Sequence, residues 1–278
     1  MRVKVNGSNL YFDVEGAGLV PQGPAMAERP TVLLLHGGPG FDHSLFKPAY
    51  GQLADVAQVV YYDHRGNGRS DHGNPSEWNL DVWADDVHGL CDALGIERPI
   101  VLGWSFGGFV AMRYADRYPD HPAKLILQST LAHWDVDRSV EGFRARGGDQ
   151  AAEAAKAFFA DPGNDTLPDF MQFCLPAYSP TPLDAAAMAR SVVNIDVQFG
   201  FFRDLEMDLR AGLANVRCPT LVVAGALDPI TPLDAAEEIV EALPADRVTY
   251  EVFDRSGHFI AETEPERFFA TVRAFVQR

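Results

Sequence analysis

The chain has 278 residues, of which 47% are hydrophobic, and its formal net charge is −16. This length and apolar content are typical of one large globular domain and exclude a disordered chain. Because the lysines and arginines are scattered and outnumbered, neither nucleic acid nor an anionic membrane surface is expected as a partner.

The cellular compartment is predicted from the cysteines and from the absence of a long apolar run. The chain has an odd number of cysteines, and none of them lie in a C-x-x-C spacing: Cys91, Cys174 and Cys218. We therefore expect free, buried thiols. The first 16 residues alternate between polar and apolar types and lack the apolar run of a signal peptide. No apolar run reaches the length of a membrane span. These features together favour a soluble cytoplasmic protein.

The predicted strands come first in chain order. Residues 2–5 and 10–14 form a β-hairpin around Asn6-Gly7, and a loop rich in proline and glycine follows at 16–30. Continuous apolar runs then predict strands buried on both faces. These runs lie at 31–37, 57–66, 99–105, 123–130 and 219–228, with a weaker one at 248–254.

Helical patterns separate these strands, at 79–95, 108–119, 233–244 and 264–277. Such alternation predicts an α/β fold with a mostly parallel central sheet and helices on both faces. The alternation stops between 131 and 212, where the sequence is rich in alanine and helical in pattern. We predict a helical cap at 131–212, inserted between core segments 1–130 and 213–278. An independent helical domain is the less favoured alternative, since the strand pattern resumes at once.

A candidate nucleophile lies in the sequence Gly103-Trp104-Ser105-Phe106-Gly107, which matches G-x-S-x-G. The motif falls where a predicted strand becomes a helix. A turn this tight strains the serine backbone, leaves space only for glycine two residues away on each side, and projects Ser105 Oγ outward. We predict that Ser105 is a nucleophile, whereas the alternative is a purely structural turn.

A serine nucleophile needs a base and a carboxylate that orients the base. His258 is the predicted base, because it follows the last strand and so reaches the sheet edge that carries the serine turn. His36 and His64 lie within glycine motifs, where a role in shaping loops is expected. Asp228, at the end of a strand, is the predicted acid, and Asp254 is its competitor.

Two glycine-rich motifs follow the first two central strands. His36-Gly-Gly-Pro-Gly40 is expected to supply an oxyanion donor through the amide of Gly38, together with the amide of Phe106. In the second motif, at 63–70, we expect Asp63, Arg65 and Arg69 to pair and brace the loop. The sequence lacks a metal-ligand motif, a P-loop and a G-x-G-x-x-G fingerprint after the first strand, so neither a metal nor a cofactor is expected.

With these motifs, the chain resembles the α/β-hydrolase superfamily along essentially its whole length. Within it, the sequences H-G-G-P-G at 36–40 and D-x-R-G-x-G-R-S at 63–70 are similar to the proline iminopeptidase-related group of serine aminopeptidases. The resemblance implies a helical cap, no cofactor, and release of an N-terminal residue or a related small acyl group. The chain departs from that group at its nucleophile turn, which there is typically Gly-Gly-Ser-Trp-Gly. It also has Pro229 where a glutamate often follows the triad aspartate, and Gln198 roughly where a second amine-binding glutamate is expected.

The predicted function is therefore a serine hydrolase, in the first instance an aminopeptidase or amidase that releases a small aminoacyl group. The alternatives are a carboxylesterase or lactonase for small hydrophobic esters and, more remotely, a ligand receptor on a hydrolase fold. The expected partner is a small molecule or short peptide-like substrate. Candidate substrate contacts are Trp104, Gln198, Phe199 and Glu206, and Asp196 or Asp204 could supply a carboxylate for a substrate amine.

Overall fold

The computed structural model describes residues 1–203 and 205–278. Its strands are β1 (Arg2–Val5), β2 (Ser8–Glu15), β3 (Leu19–Gln22), β4 (Ala25–Glu28), β5 (Thr31–Leu35), β6 (Gln58–Tyr62), β7 (Ile100–Trp104), β8 (Lys124–Gln128), β9 (Thr220–Gly225) and β10 (Val248–Phe253). Eight of them form one sheet in the order β1-β2-β6-β5-β7-β8-β9-β10. Strands β1 and β2 pair antiparallel, as do β2 and β6, and the pairs from β6 to β10 are parallel. The predicted, mostly parallel sheet is confirmed.

The helices cover both faces of this sheet. They are α1 (Leu80–Leu94), α2 (Phe106–Arg117), α3 (Val136–Ala160), α4 (Leu167–Asp169), α5 (Ala185–Arg190), α6 (Ile195–Arg203), α7 (Arg210–Leu213), α8 (Leu233–Ala242), α9 (Ile260–Thr263) and α10 (Pro265–Gln277). Alternate residues of β5 enter different cores: Leu33 belongs to the core on the face covered by α1, α2 and α8, whereas Leu34 belongs to the core on the face covered by α10. This alternation is what a strand buried on both faces requires.

The region between β8 and β9 contains helices α3 to α7, and the word cap refers below to this region. They enclose a third apolar cluster that includes Phe143, Phe158, Phe170 and Phe199. Helix α3 breaks at Gly148, whose φ of 78° is left-handed. The division of the chain at 131 and 212 stays a prediction.

Two details of the N-terminal and cysteine predictions can be compared with the structure. Residues 19–28 form the β3–β4 hairpin, whereas the sequence predicts a loop there. The sequence does not reveal this hairpin because its short strands are mostly exposed and carry no buried apolar pattern. Cys91, Cys174 and Cys218 are buried and free, as expected. Within 1–203 and 205–278, no helix combines the length and the apolar character that crossing a bilayer requires.

The junction between β7 and α2 is packed so tightly that we expect Gly107→Ala to be strongly destabilising. A Cβ at this position would lie 2.0 Å from the carbonyl oxygen of Leu35 on β5, so backbone would have to move. The free energy of unfolding should fall by at least about 3 kcal/mol in urea denaturation. Gly200→Ala in α6 is the matched control: its Cβ meets open space, so stability should rise by about 0.5–1 kcal/mol. Equal effects of the two substitutions would contradict this packing.

Candidate active site

Ser105 lies in a strained turn between β7 and α2. Its φ of 54° and ψ of −118° are rarely adopted by a residue with a side chain. The turn is fixed on both sides, because the Ser105 amide donates to Gln128 O at 3.0 Å and Thr130 Oγ1 donates to Ser105 O at 2.8 Å. The neighbouring strand β8 and the residues after it therefore hold the half-buried serine in its predicted place at the start of a helix.

His258 and Asp228 are brought together although 30 residues separate them in sequence. His258 Nδ1 donates to Asp228 Oδ2 at 2.7 Å, and both side chains are almost fully buried. Asp228 is itself oriented, since it accepts from the amides of Ile230 and Thr231 at 2.9 Å and from Thr231 Oγ1 at 2.6 Å. The rival candidate, Asp254, is exposed. The geometry thus pairs His258 with Asp228.

The loop that carries His258 is held by the cap and by the residue before the serine. The His258 amide donates to Tyr178 O at 2.7 Å, and the Tyr178 ring meets the imidazole edge-on at 5.3 Å. Trp104 Nε1 donates to His258 O at 3.3 Å. Trp104 is only 5% exposed and packs in the core, so the structure gives it a supporting position, and its predicted contact with substrate stays a prediction. Sequence reasoning missed Tyr178, which has no local motif.

Ser105 and His258 are not joined by a hydrogen bond in the arrangement of the described side chains. Catalytic hydrogen bonds are often long before substrate binds and tighten only in the complex. The indole of Trp104 connects the two segments, because its own residue precedes Ser105 and its ring lies 5.9 Å from the His258 ring. The serine turn and the histidine loop are therefore neighbours.

The two predicted oxyanion donors lie in segments that touch each other. Phe106 is the first residue of α2, so its amide is one of those that an α-helix leaves without an internal acceptor. Gly38 has a φ of 61° and sits in a turn closed by the bond from Phe41 N to Gly38 O, at 3.0 Å. A Cβ on Gly107 would lie 2.8 Å from His36 O, which shows how closely the helix start packs against this loop.

His36 and His64 are buried and tie the glycine motifs together. His36 Nδ1 donates to Gly37 O at 3.1 Å, and its Nε2 accepts from the His64 amide at 3.3 Å. Burial lowers the pKa of both imidazoles, so both are neutral near pH 7. These contacts agree with the predicted role in shaping loops.

The charged residues of the 63–70 motif are paired, as expected, but mainly with partners outside the motif. Arg65 forms two 2.8 Å bonds to the buried Asp86 of α1, and Asp63 accepts from His43 Nδ1 at 2.7 Å. Arg69 pairs with Asp42, and only its amide bonds Asp63, at 2.8 Å. Sequence reasoning missed Asp86 and His43.

Two groups of the described side chains have metal-ligating atoms within 4.8 Å of one another. The first is Asp42, His43 and Asp63, and the second is His88, Asp92 and His121 at the surface. The first group is occupied by the ion pair and hydrogen bonds just given. In the second, His121 Nδ1 already bonds the Tyr114 hydroxyl at 2.5 Å. Members of both groups are therefore already engaged in contacts within the protein.

The residues of the cap that were predicted to contact substrate differ in how deeply they are buried. Gln198 is half-buried beside the glycine loop, since its Cβ is 3.5 Å from where a Cβ on Gly40 would lie. Phe199 is 8% exposed and packs inside the apolar cap cluster. Asp196 and Glu206 are exposed. Asp204 lies outside the described residues.

A further carboxyl group near His258 gives a prediction about stability. Burial raises the pKa of Glu262 on α9 to about 7, and the charge of Asp184 on the cap adds to the effect. Because the folded state holds this proton more tightly than the unfolded chain, the free energy of unfolding should fall as the pH rises from 4.5 to about 7.

The glutamine side chain in the Glu262→Gln variant does not titrate. The free energy of unfolding of this variant should therefore fall less than that of wild type over this pH range. The difference from wild type should reach about 1–3 kcal/mol in urea denaturation at pH 5 and pH 8, less than full burial would give because the side chain is partly exposed. Glu266→Gln, at an exposed position on α10, is the matched control and should keep the wild-type slope. A wild-type slope in Glu262→Gln would contradict the prediction.

Comparison with known proteins agrees with this architecture. A family model described as the alpha/beta hydrolase fold matches residues 30–265. A relative named "Putative carbamate hydrolase RutD", from Caulobacter sp. (strain K31), is 30% identical over 276 residues, which cover 96% of this chain and 95% of the relative. Proline iminopeptidase of Clostridium botulinum is 27% identical over 274 residues and 92% of each chain.

A solved structure shows the same fold. The crystal structure of proline iminopeptidase from Mycobacterium smegmatis aligns with a TM-score of 0.80 at 24% identity, over 100% of this chain and 97% of that one. The family model covers most of the sequence and includes the serine turn, Asp228 and His258. The chain therefore belongs to the alpha/beta hydrolase fold family.

Proposed function

We propose that this protein is a serine hydrolase that transfers an acyl group from an ester or amide to water. The observation that carries the proposal is the buried pair of His258 and Asp228, joined by a 2.7 Å bond between Nδ1 and Oδ2, with the His258 loop next to the strained turn of Ser105. A serine on such a turn becomes reactive only when a base with a fixed ring orientation can remove its proton.

In the proposed reaction, Ser105 Oγ attacks the substrate carbonyl carbon while His258 Nε2 takes the serine proton. Asp228 accepts a hydrogen bond from Nδ1–H, which holds the ring proton on Nδ1 and so keeps Nε2 free to act as a base. The amides of Phe106 and Gly38 stabilise the oxyanion. Collapse of the tetrahedral intermediate expels the leaving group, which receives the proton from His258. Water then releases the acyl group from Ser105 by the reverse sequence of proton transfers.

The walls around these residues favour a neutral, apolar acyl group. Phe201 of the cap lies 5.2 Å from the Phe106 ring, Tyr178 packs on His258, and Ile230 joins the turn of Asp228 to the apolar cap cluster. A substrate ammonium buried here would need a carboxylate, because an unpaired buried charge costs several kcal/mol. Pro229 has no acceptor in its side chain, and Asp196 and Glu206 are exposed to solvent.

An aminopeptidase is the second candidate. It is supported by the similarity to the Clostridium botulinum proline iminopeptidase and by the H-G-G-P-G motif at 36–40. The two candidates differ in one chemical feature, the substrate amine, and this difference can be tested directly.

The test compares p-nitrophenyl propionate with the p-nitrophenyl ester of alanine, which differ only by the amino group. After each kcat/KM is divided by the spontaneous hydrolysis rate, we expect the propionate to be preferred at least about tenfold. Asp196→Asn and Glu206→Gln should leave this ratio unchanged. A preference for the alanine ester that either variant abolishes would instead support the aminopeptidase.

A further inference from the structure

The glycine loop that carries Gly38 is tied to the rest of the protein through Gly40. The Gly40 amide donates to Asn67 Oδ1 at 2.5 Å, and its carbonyl accepts from the Asn194 amide at 2.8 Å. Asn67 belongs to the 63–70 motif, whereas Asn194 belongs to the cap. The two polar groups of one residue, two positions after the proposed oxyanion donor, are thus held from two sides.

Asn194 closes this arrangement with its side chain. Its Nδ2 donates to Gly66 O at 2.8 Å, so Asn194 binds both the glycine loop and the 63–70 motif. The approach is close, because a Cβ on Gly40 would lie 2.4 Å from Asn194 O, and the φ of Gly40 is 90°. Neither the loop nor the cap backbone can shift here independently.

The contact continues along the cap segment that precedes Asn194. The Val192 amide donates to Asp42 Oδ2 at 2.8 Å, and Arg190 donates to Lys47 O at 2.9 Å. Arg69 in turn donates to Arg190 O at 3.1 Å. Residues 190–194 therefore lie along residues 40–47 as a clamp made of directed hydrogen bonds.

We propose that Asn194 is a positioning residue for the oxyanion donor at Gly38, a role that rests on the proposed function. The turn of Gly38 is closed by its bond to Phe41, and the next fixed point along the loop is Gly40. If the side chain of Asn194 is lost, the clamp loosens at this point and the Gly38 amide moves away from the developing oxyanion. The loss falls on the transition state, because the ground-state carbonyl depends little on that donor.

The experiment measures Asn194→Ala with p-nitrophenyl propionate and with a trifluoromethyl ketone of the same acyl length, which forms an oxyanion adduct with a serine. We expect kcat to fall by about 10- to 100-fold with KM within threefold of wild type. The inhibition constant of the ketone should rise by a similar factor. Asn194→Gln keeps an amide donor and should therefore have a higher kcat than Asn194→Ala. If the alanine variant does not fold, the glutamine variant is the one to be measured.

The matched control is Asn164→Ala, an exposed asparagine of the same cap, which should behave as wild type. A wild-type kcat in Asn194→Ala, or a loss carried entirely by KM with unchanged ketone inhibition, would overturn the role of Asn194 alone. A wild-type protein that neither hydrolyses the ester nor binds the ketone would overturn the proposed function and this role with it.

Discussion

Ser105→Ala should lower kcat/KM for p-nitrophenyl propionate by at least about 10⁴-fold while the protein stays folded. The substitution removes the atom that would form the acyl-enzyme, and the oxyanion donors alone give only a small residual rate. Folding should be preserved because the turn is held through the backbone of residue 105, whose amide donates to Gln128 O and whose carbonyl accepts from Thr130 Oγ1, and alanine retains both groups.

The matched control for this variant is Ser76→Ala, at an exposed position in the short 3-10 helix Pro75–Glu77. It should keep wild-type kinetics. Steady-state kinetics and thermal unfolding of both variants, measured side by side, separate loss of the nucleophile from loss of the fold. Turnover by folded Ser105→Ala within about tenfold of wild type would rule out Ser105 as the nucleophile.

Asp228→Asn is the second substitution for which we expect a large effect. An asparagine at this position can donate to His258 Nδ1, which would leave the ring with its proton on Nε2 and unable to accept the serine proton. By analogy with other serine hydrolases, kcat should fall by about 10³- to 10⁴-fold with little change in KM. The measurement is kcat at saturating ester.

Asp254→Asn provides the contrast, since this exposed aspartate was the rival candidate in sequence. It should change kcat by less than about twofold. If Asp254→Asn proves as damaging as Asp228→Asn, the pairing of His258 with Asp228 does not describe the working enzyme.

The sheet and the pairing of His258 with Asp228 could be predicted because each depends on a local signal. Buried parallel strands leave continuous apolar runs, and the run ending at Trp104 matches β7. The G-x-S-x-G spacing requires glycine wherever a Cβ would strike backbone, as at Gly107. His258 and Asp228 follow the ends of neighbouring strands β10 and β9, and the ends of parallel strands lie at one edge of a sheet.

The contacts that support the site could not be predicted in this way. Tyr178 meets His258 and Asn194 meets Gly40 across long sequence separations, and neither residue belongs to a motif or a periodic pattern. The position of Trp104 beside Ser105 gave no sign that its side chain packs in the core. In each case the partner is chosen by tertiary packing, to which local spacing gives no guide.

The central claim, that Ser105 is the nucleophile activated by His258, is tested most directly with a fluorophosphonate probe. Intact-mass measurement followed by peptide mapping should find one adduct per chain, on Ser105, and His258→Ala should slow its formation by at least about 100-fold. An adduct on another residue, or no adduct on protein that is hydrolysing ester, would contradict the claim.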